Sequence, residues 1–271
     1  MIRAGLHRPL ATGLGFLLFC AVCLPSQSPS HAQGPLQIVT HNSRLYLPIA
    51  MRSPICQPLP EQDYLTLPPD PPGPTVPAEA HPDHNLAVRG YELTDEYRGL
   101  VDYPQEHDPL APQFSSLFTQ PRLPRFAATY RVYDWDWERM QRGPLISNPP
   151  VSALGLQTTA GEMLHVPESG YTIGSGCEVL VIYASTDQIT LKYTREDSVV
   201  YGYTLHIDRV CVDPDLLALY RASDVAGRAS LPALRPRQPL GRALGQQIVV
   251  AIVDTGTFLD ARSRADWWRS Y

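Results

Sequence analysis

The sequence predicts a mainly β protein, and three observations predict it. Val179–Tyr183, Ile189–Tyr193, Val199–Leu205 and Ile248–Ile252 are β-branched or aromatic runs bounded by Gly, Asp, Ser or Thr, the text of strands between turns. Ala128–Tyr133 alternates apolar and polar residues, the period of two that a half-buried strand imposes. Only Pro214 to Ala229 reads as a helix, with Leu216, Leu217, Leu219 and Tyr220 as its apolar face, Asp213 at the N-cap and Arg228 in its last turn.

Taken from the start of the chain, residues 1–32 read as a cleavable signal peptide. Arg3 and Arg8 precede an apolar run from Leu10 to Leu24, and a polar stretch ends at Ser30-His31-Ala32. The run is shorter than the ~20 residues of a spanning helix. Cys20 and Cys23 follow the bulky Phe19 and Val22, which suit cleavage near Ala32 better than lipid attachment. The expected product is secreted or held in the cell envelope, with no integral membrane span after cleavage.

Residues 33–84 read as a proline-rich extended spacer with short strands at Leu36–Thr40 and Arg44–Arg52. Pro68, Pro69, Pro71, Pro72, Pro74 and Pro77 remove backbone donors and stiffen the chain. Residues 85–150 read as an irregular β-containing region packing on the body, with strands at Leu86–Tyr91 and Ala127–Trp137. Residues 151–271 carry the strongest strand text.

Cleavage leaves 20 basic against 27 acidic residues, a net −7. Nucleic-acid binding needs a basic footprint, so no nucleic acid is expected as a partner. Lys192 is the only lysine, and no polybasic cluster serves an anionic membrane. Of the cysteines left after cleavage, Cys56, Cys177 and Cys211, the two in strand-like text of one half, Cys177 and Cys211, are expected to pair.

Several elements of residues 151–271 resemble, in order, the β domain of lysostaphin-type zinc endopeptidases, which cut peptide cross-links in bacterial cell walls. Gly161-Glu-Met-Leu-His-Val-Pro-Glu-Ser-Gly170 is similar to a glycine-bounded element of that family, and Val179–Tyr193 to its next strand pair. Leu234-Arg-Pro-Arg-Gln-Pro-Leu-Gly241 is similar to its Gln, apolar, Gly turn, and Ile248–Gly256 with Asp260 to its last strand and exit turn. The resemblance implies a barrel-sandwich hybrid with one short helical insertion, and it implies a zinc site whose ligands are replaced. The first His and Asp ligands fall on Val151 and Gly155, the strand His on Val249, and the neighbouring catalytic His on Gln247. Val and Gly coordinate no metal, so no cofactor is expected and the domain reads as a peptidase-like pseudoenzyme.

Other residues then become candidates. Tyr133, Trp135 and Trp137 would share one strand face, suited to stacking on sugar rings, with Asp134, Asp136 and Glu138 opposite. His165, His206 and Gln247 are candidate polar groove residues. His81 and His84, around Asp83, form a surface pair expected to be solvated. Arg262–Arg269, with Trp267 and Trp268, reads as a docking tail. The expected function is an exported, non-catalytic envelope protein that binds cell-wall glycan or peptide, or an envelope protein. The alternatives are an active zinc endopeptidase, with His165 and His206 in its site, and an extracellular scaffold or assembly factor.

Overall fold

The computed structural model describes residues 56–271 except 74, 75 and 105. The expected signal peptide, Cys20, Cys23 and the strands expected at 36–40 and 44–52 lie outside the described residues.

The strands are β1 (Leu65–Leu67), β2 (Tyr91–Thr94), β3 (Phe126–Asp136), β4 (Gln141–Leu145), β5 (Ala153–Gln157), β6 (Met163–His165), β7 (Val179–Ala184), β8 (Gln188–Lys192), β9 (Tyr203–Asp208), β10 (Val210–Val212), β11 (Leu231–Leu234), β12 (Pro239–Ala243), β13 (Gln247–Asp254) and β14 (Thr257–Leu259). The α-helices are α1 (Leu86–Arg89), α2 (Pro214–Val225) and α3 (Arg264–Trp267). The described chain is therefore mainly β. One sheet runs β1-β11-β7-β8-β9-β13-β5-β3-β2, with β14 beside β13 and β4 beside β3; a second runs β10-β12-β6.

β13 organises the large sheet. Along one edge it pairs with β9 from Val249 to Asp254. Its other edge is shared, the first half by β5 and the second by β14. Ile248, Val250 and Ile252 of β13, Leu205 and Ile207 of β9, and Ile189 and Leu191 of β8 are buried and, by register, share one face. β7 is buried at every residue, so both its faces are covered, and α2 contacts it as well as β11. Tyr220 of α2 lies edge-on to Tyr183.

Several expectations are corrected. Leu86–Tyr91 is not a strand: the Asn85 side chain accepts from Ala87 N at 3.0 Å, starting the turn of α1 before β2 begins. Val199–Gly202 is loop, and α2 stops at Val225, which places Arg228 outside it. Asp213 stands at the N-cap of α2 without capping it. Its carboxylate instead accepts from Leu59 N at 3.1 Å and Tyr64 Oη at 2.5 Å, and Pro214 leaves one fewer amide to cap.

Those bonds belong to a strap that the sequence reads as a free-standing spacer. From Cys56 onward it lies on the body: β1 pairs with β11, Asp70 N donates to Arg195 O at 2.8 Å, and Leu59 and Ala78 are buried. Proline bars long ladders but not a three-residue edge strand. The disulfide follows from this path. Cys211 bonds to Cys56, with Cα atoms 5.6 Å apart, and Cys177 is a buried free thiol; the expected Cys177–Cys211 pair is not formed. Cys177 precedes β7 in the large sheet, whereas Cys211 lies on β10, an edge strand of the small one.

The C-terminal tryptophans are core, not a docking tail. Trp267 and Trp268 are buried, with Phe114 stacked on Trp267 at 5.6 Å and edge-on to Trp268 at 5.7 Å. Their indole N–H groups donate to Asp260 O and Ala261 O, both at 2.9 Å, so the polar tips are satisfied where the rings are dry.

Candidate functional site

The register of β13 brings several predicted positions onto one face. Val249 stands opposite Gly155, Gln247 opposite Gln157, and Ala251 opposite His206. Alternate residues of a strand share a face, so Gln247, Val249 and His206 lie on the face opposite the apolar one. Val151 and Val249 are wholly buried. A Cβ added to Gly155 would lie 2.5 Å from Gln247 Nε2, so the Gln247 amide rests over Gly155, and it donates to Tyr130 Oη at 2.8 Å. Valine and glycine offer no lone pair, and the one amide present is spent on Tyr130. This residue set does not fit a zinc ion. Among the described residues, no group of three or more His, Cys, Asp or Glu side chains is arranged to hold a metal.

The same face carries Thr190, Lys192, Thr204 and Asp208 beside His206, by the register of β8 on β9. The segment from His81 to Tyr91 lies against it. Tyr91 donates to Asp208. Thr190 Oγ1 contacts the His84 carbonyl at 2.6 Å and His206 Nδ1 at 3.1 Å. A hydroxyl has one hydrogen, and the carbonyl can only accept, so His206 Nδ1–H must donate to Thr190. That fixes the tautomer with Nε2 unprotonated. The His206 ring stacks on Phe258 at 6.3 Å, and burial, then the charge of Arg89, hold its pKa down to about 3.

His84 is buried and meets Asp197 through Nε2 at 3.1 Å. Arg228 grips the same carboxylate with two bonds of 2.7 Å. Burial by itself would raise the Asp197 pKa, but hydrogen bonds from Arg228 and His84 reverse the sign and hold it below the ordinary value. His84 Nδ1 is buried without a partner. The His81 ring stands edge-on to His84 at 4.6 Å, and burial followed by His84 pulls its pKa down to about 4. The pair is not a solvated surface clip: His84 is buried and His81 is half-buried beside it. Lys192 donates to the carbonyls of Tyr201 and Gly202, and burial lowers its pKa to about 8.

Above the cluster stands the β3–β4 hairpin. The expected flat stripe of Tyr133, Trp135 and Trp137 is broken, because the β3–β4 register shifts between Tyr133 and Trp135 and β3 ends at Asp136. Tyr133 donates to Glu92 and lies under Arg142 at 5.7 Å. Trp135 keeps its Nε1 buried and unpartnered. Trp137, in the turn, is 50% exposed; its ring lies 6.5 Å from Trp135 and 5.7 Å from His81. Asp134 reaches Arg89 at 3.6 Å, and Asp136 binds the turn amides of Glu138 and Arg139. His165 is elsewhere, buried on β6 of the small sheet, where burial and Arg237 lower its pKa.

Sequence reading singled out His84 but missed its partner Asp197, the Arg228 that grips the same carboxylate, and the Tyr130 that takes the Gln247 amide. A readable sign existed: Thr190 and Lys192, then Thr204, His206 and Asp208, put polar residues at every second place of otherwise apolar strands, which marks a polar sheet face. Fold and site together define a mainly β protein whose large sheet carries, on β8 and β9, one apolar face and one polar face covered by its own chain. Comparison with protein-family models, curated proteins and solved structures finds no match to this chain. No helix among the described residues is long and apolar enough to cross a membrane.

Proposed function

We propose that this chain is an exported, non-catalytic envelope protein, with a lysostaphin-like barrel-sandwich domain that binds cell-wall glycan through the tip of the β3–β4 hairpin. The observation that carries the reading is the Gln247 amide lying over Gly155 beside Val249. Where the family resemblance expects metal ligands and a catalytic histidine stand Val151, Gly155, Val249 and Gln247, the last donating to Tyr130. Trp137 supplies a half-exposed aromatic surface beside His81 and Trp135, and aromatic faces with polar neighbours suit sugar rings. The scaffold alternative drew on the proline-rich spacer, which from Cys56 onward lies on the body, and on the C-terminal tryptophans, which are buried in the chain's own core.

The test is co-sedimentation of the mature full-length protein with purified cell-wall sacculi, alongside Trp137→Ala. The wild type should pellet with the sacculi and the variant should lose most of that retention while keeping its melting temperature. Equal retention of both proteins, or release of cross-link fragments from the sacculi, would overturn the reading.

A further inference from the structure

A groove on another side of the molecule has the features of a small-molecule site. It has a volume of about 430 Å³, within the range of ligand pockets. One wall is the Cys56–Cys211 disulfide with Val212; the other is α2, from Pro214 past Leu217 and Ala218 to Arg221. Arg221 lies seven residue steps along the helix from Pro214, so the helical wall runs roughly 10 Å. Its lining side chains offer two polar groups, the Thr186 hydroxyl and the Arg221 guanidinium.

Arg221 is exposed and has neither a hydrogen-bond nor an ion-pair partner among the described residues. The contrast with Arg228, whose guanidinium bonds Asp197, Tyr220, Asp224 and Ile182 O, is direct. An apolar trough ending in an unpaired guanidinium matches one ligand chemistry: an alkyl chain with an anionic head. The head would take the planar two-bond geometry of arginine with a carboxylate. A peptide would bring an amide every 3.3 Å or so, which side chains such as Leu217, Ala218 and Val212 cannot partner, whereas an alkyl chain brings no unsatisfied polar group.

We propose that this groove binds a free medium-chain fatty acid, with the chain laid along α2 against the disulfide and the carboxylate on Arg221. The proposal is independent of the glycan reading, since the groove and the β3–β4 hairpin have no residue in common.

The test is titration calorimetry of the mature, disulfide-intact protein with dodecanoate below its micelle concentration, with 1-dodecanol, dodecylamine and anionic phospholipid vesicles as separate arms. Saturable one-to-one binding of dodecanoate is expected, weakened about tenfold in Arg221→Gln, abolished in Ala218→Phe, which fills the trough, and at least tenfold weaker for the alcohol and amine. Arg221 is exposed and unpaired, so Arg221→Gln should fold as the parent does and carries the test should Ala218→Phe fail to fold. No saturable binding, equal affinity of parent and Arg221→Gln, or binding to vesicles alone would overturn the proposal.

Discussion

Acidification should destabilise this protein through His206. The ring is buried, its Nδ1–H is committed to Thr190, Phe258 covers one side, and the cation Arg89 adds its repulsion. Burial and that charge hold the folded-state pKa at about 3. In the unfolded chain a histidine titrates near 6.5. The folded value lies below the unfolded one, so the neutral ring's contribution is fully present above about pH 6.5 and is lost as pH falls toward 3, because the unfolded chain takes up the proton first. At pH 5, 1.5 units below the unfolded value, the loss from this one group is about 2 kcal/mol at 1.36 kcal/mol per unit. His81, lowered to about 4, adds a smaller loss of the same sign because it is less buried. The assay is urea unfolding at pH 7 and pH 5 for the wild type and for His206→Asn, whose amide can still donate to Thr190. The variant's cost in packing is the same at both pH values and cancels in the difference. The wild type should lose about 2 kcal/mol more than the variant between the two pH values; losses equal within roughly 0.5 kcal/mol would refute the reasoning.

Three further outcomes follow from packing and covalent constraint. Asp197→Asn removes the buried carboxylate that pairs with both Arg228 and His84, leaving Arg228 only the Asp224 carboxylate, and should cost about 3–5 kcal/mol, read as a lower urea midpoint with unchanged m-value. Trp268→Ala should cost about 3–5 kcal/mol because the indole is wholly buried among Phe114 and Phe126, while Trp137→Ala at the exposed hairpin tip should stay within about 0.5 kcal/mol of wild type; a reversal of that order would show the core misassigned. Reducing Cys56–Cys211, which spans a sequence separation of 155, should lower stability by about 2–5 kcal/mol, and peptide mapping of the oxidised mature chain should find Cys177 unpaired.

Sequence resolved the strand content where local chemistry and tertiary environment agree. Val179–Tyr183 and Ile248–Ile252 are apolar on both faces and could be little else. Failures occurred where a long-range partner decided the outcome. Asp213 has every local feature of an N-cap, yet a strap some 150 residues earlier takes both its oxygens. The same strap claims Cys211 for Cys56, a pairing invisible to any rule that favours cysteines in neighbouring strands. Trp267 and Trp268 look like an exposed tail until Phe114 and Phe126 are brought against them. Within the site, Gln247, Val249, Gly155 and His206 were legible as sharing a region because they sit on strands. Asp197, Arg228 and Tyr130 were not, because a loop, a post-helical turn and a distant strand supply them.

The polar face of the sheet constrains where any ligand could act. Tyr91 occupies Asp208, Tyr130 occupies Gln247, the His84 carbonyl occupies Thr190, and Asp197 is shared by His84 and Arg228. A substrate entering this face would have to break several buried hydrogen bonds at once, and each group left unpaired costs about 1–3 kcal/mol. An open catalytic cleft has the opposite property: its polar groups are held ready for a ligand. Here the segment from His81 to Tyr91 covers the polar face and takes up its hydrogen bonds, so the face is interior structure. On the glycan reading proposed above, contact would fall at the rim, where Trp137 stands 5.7 Å from His81 with its ring half in solvent.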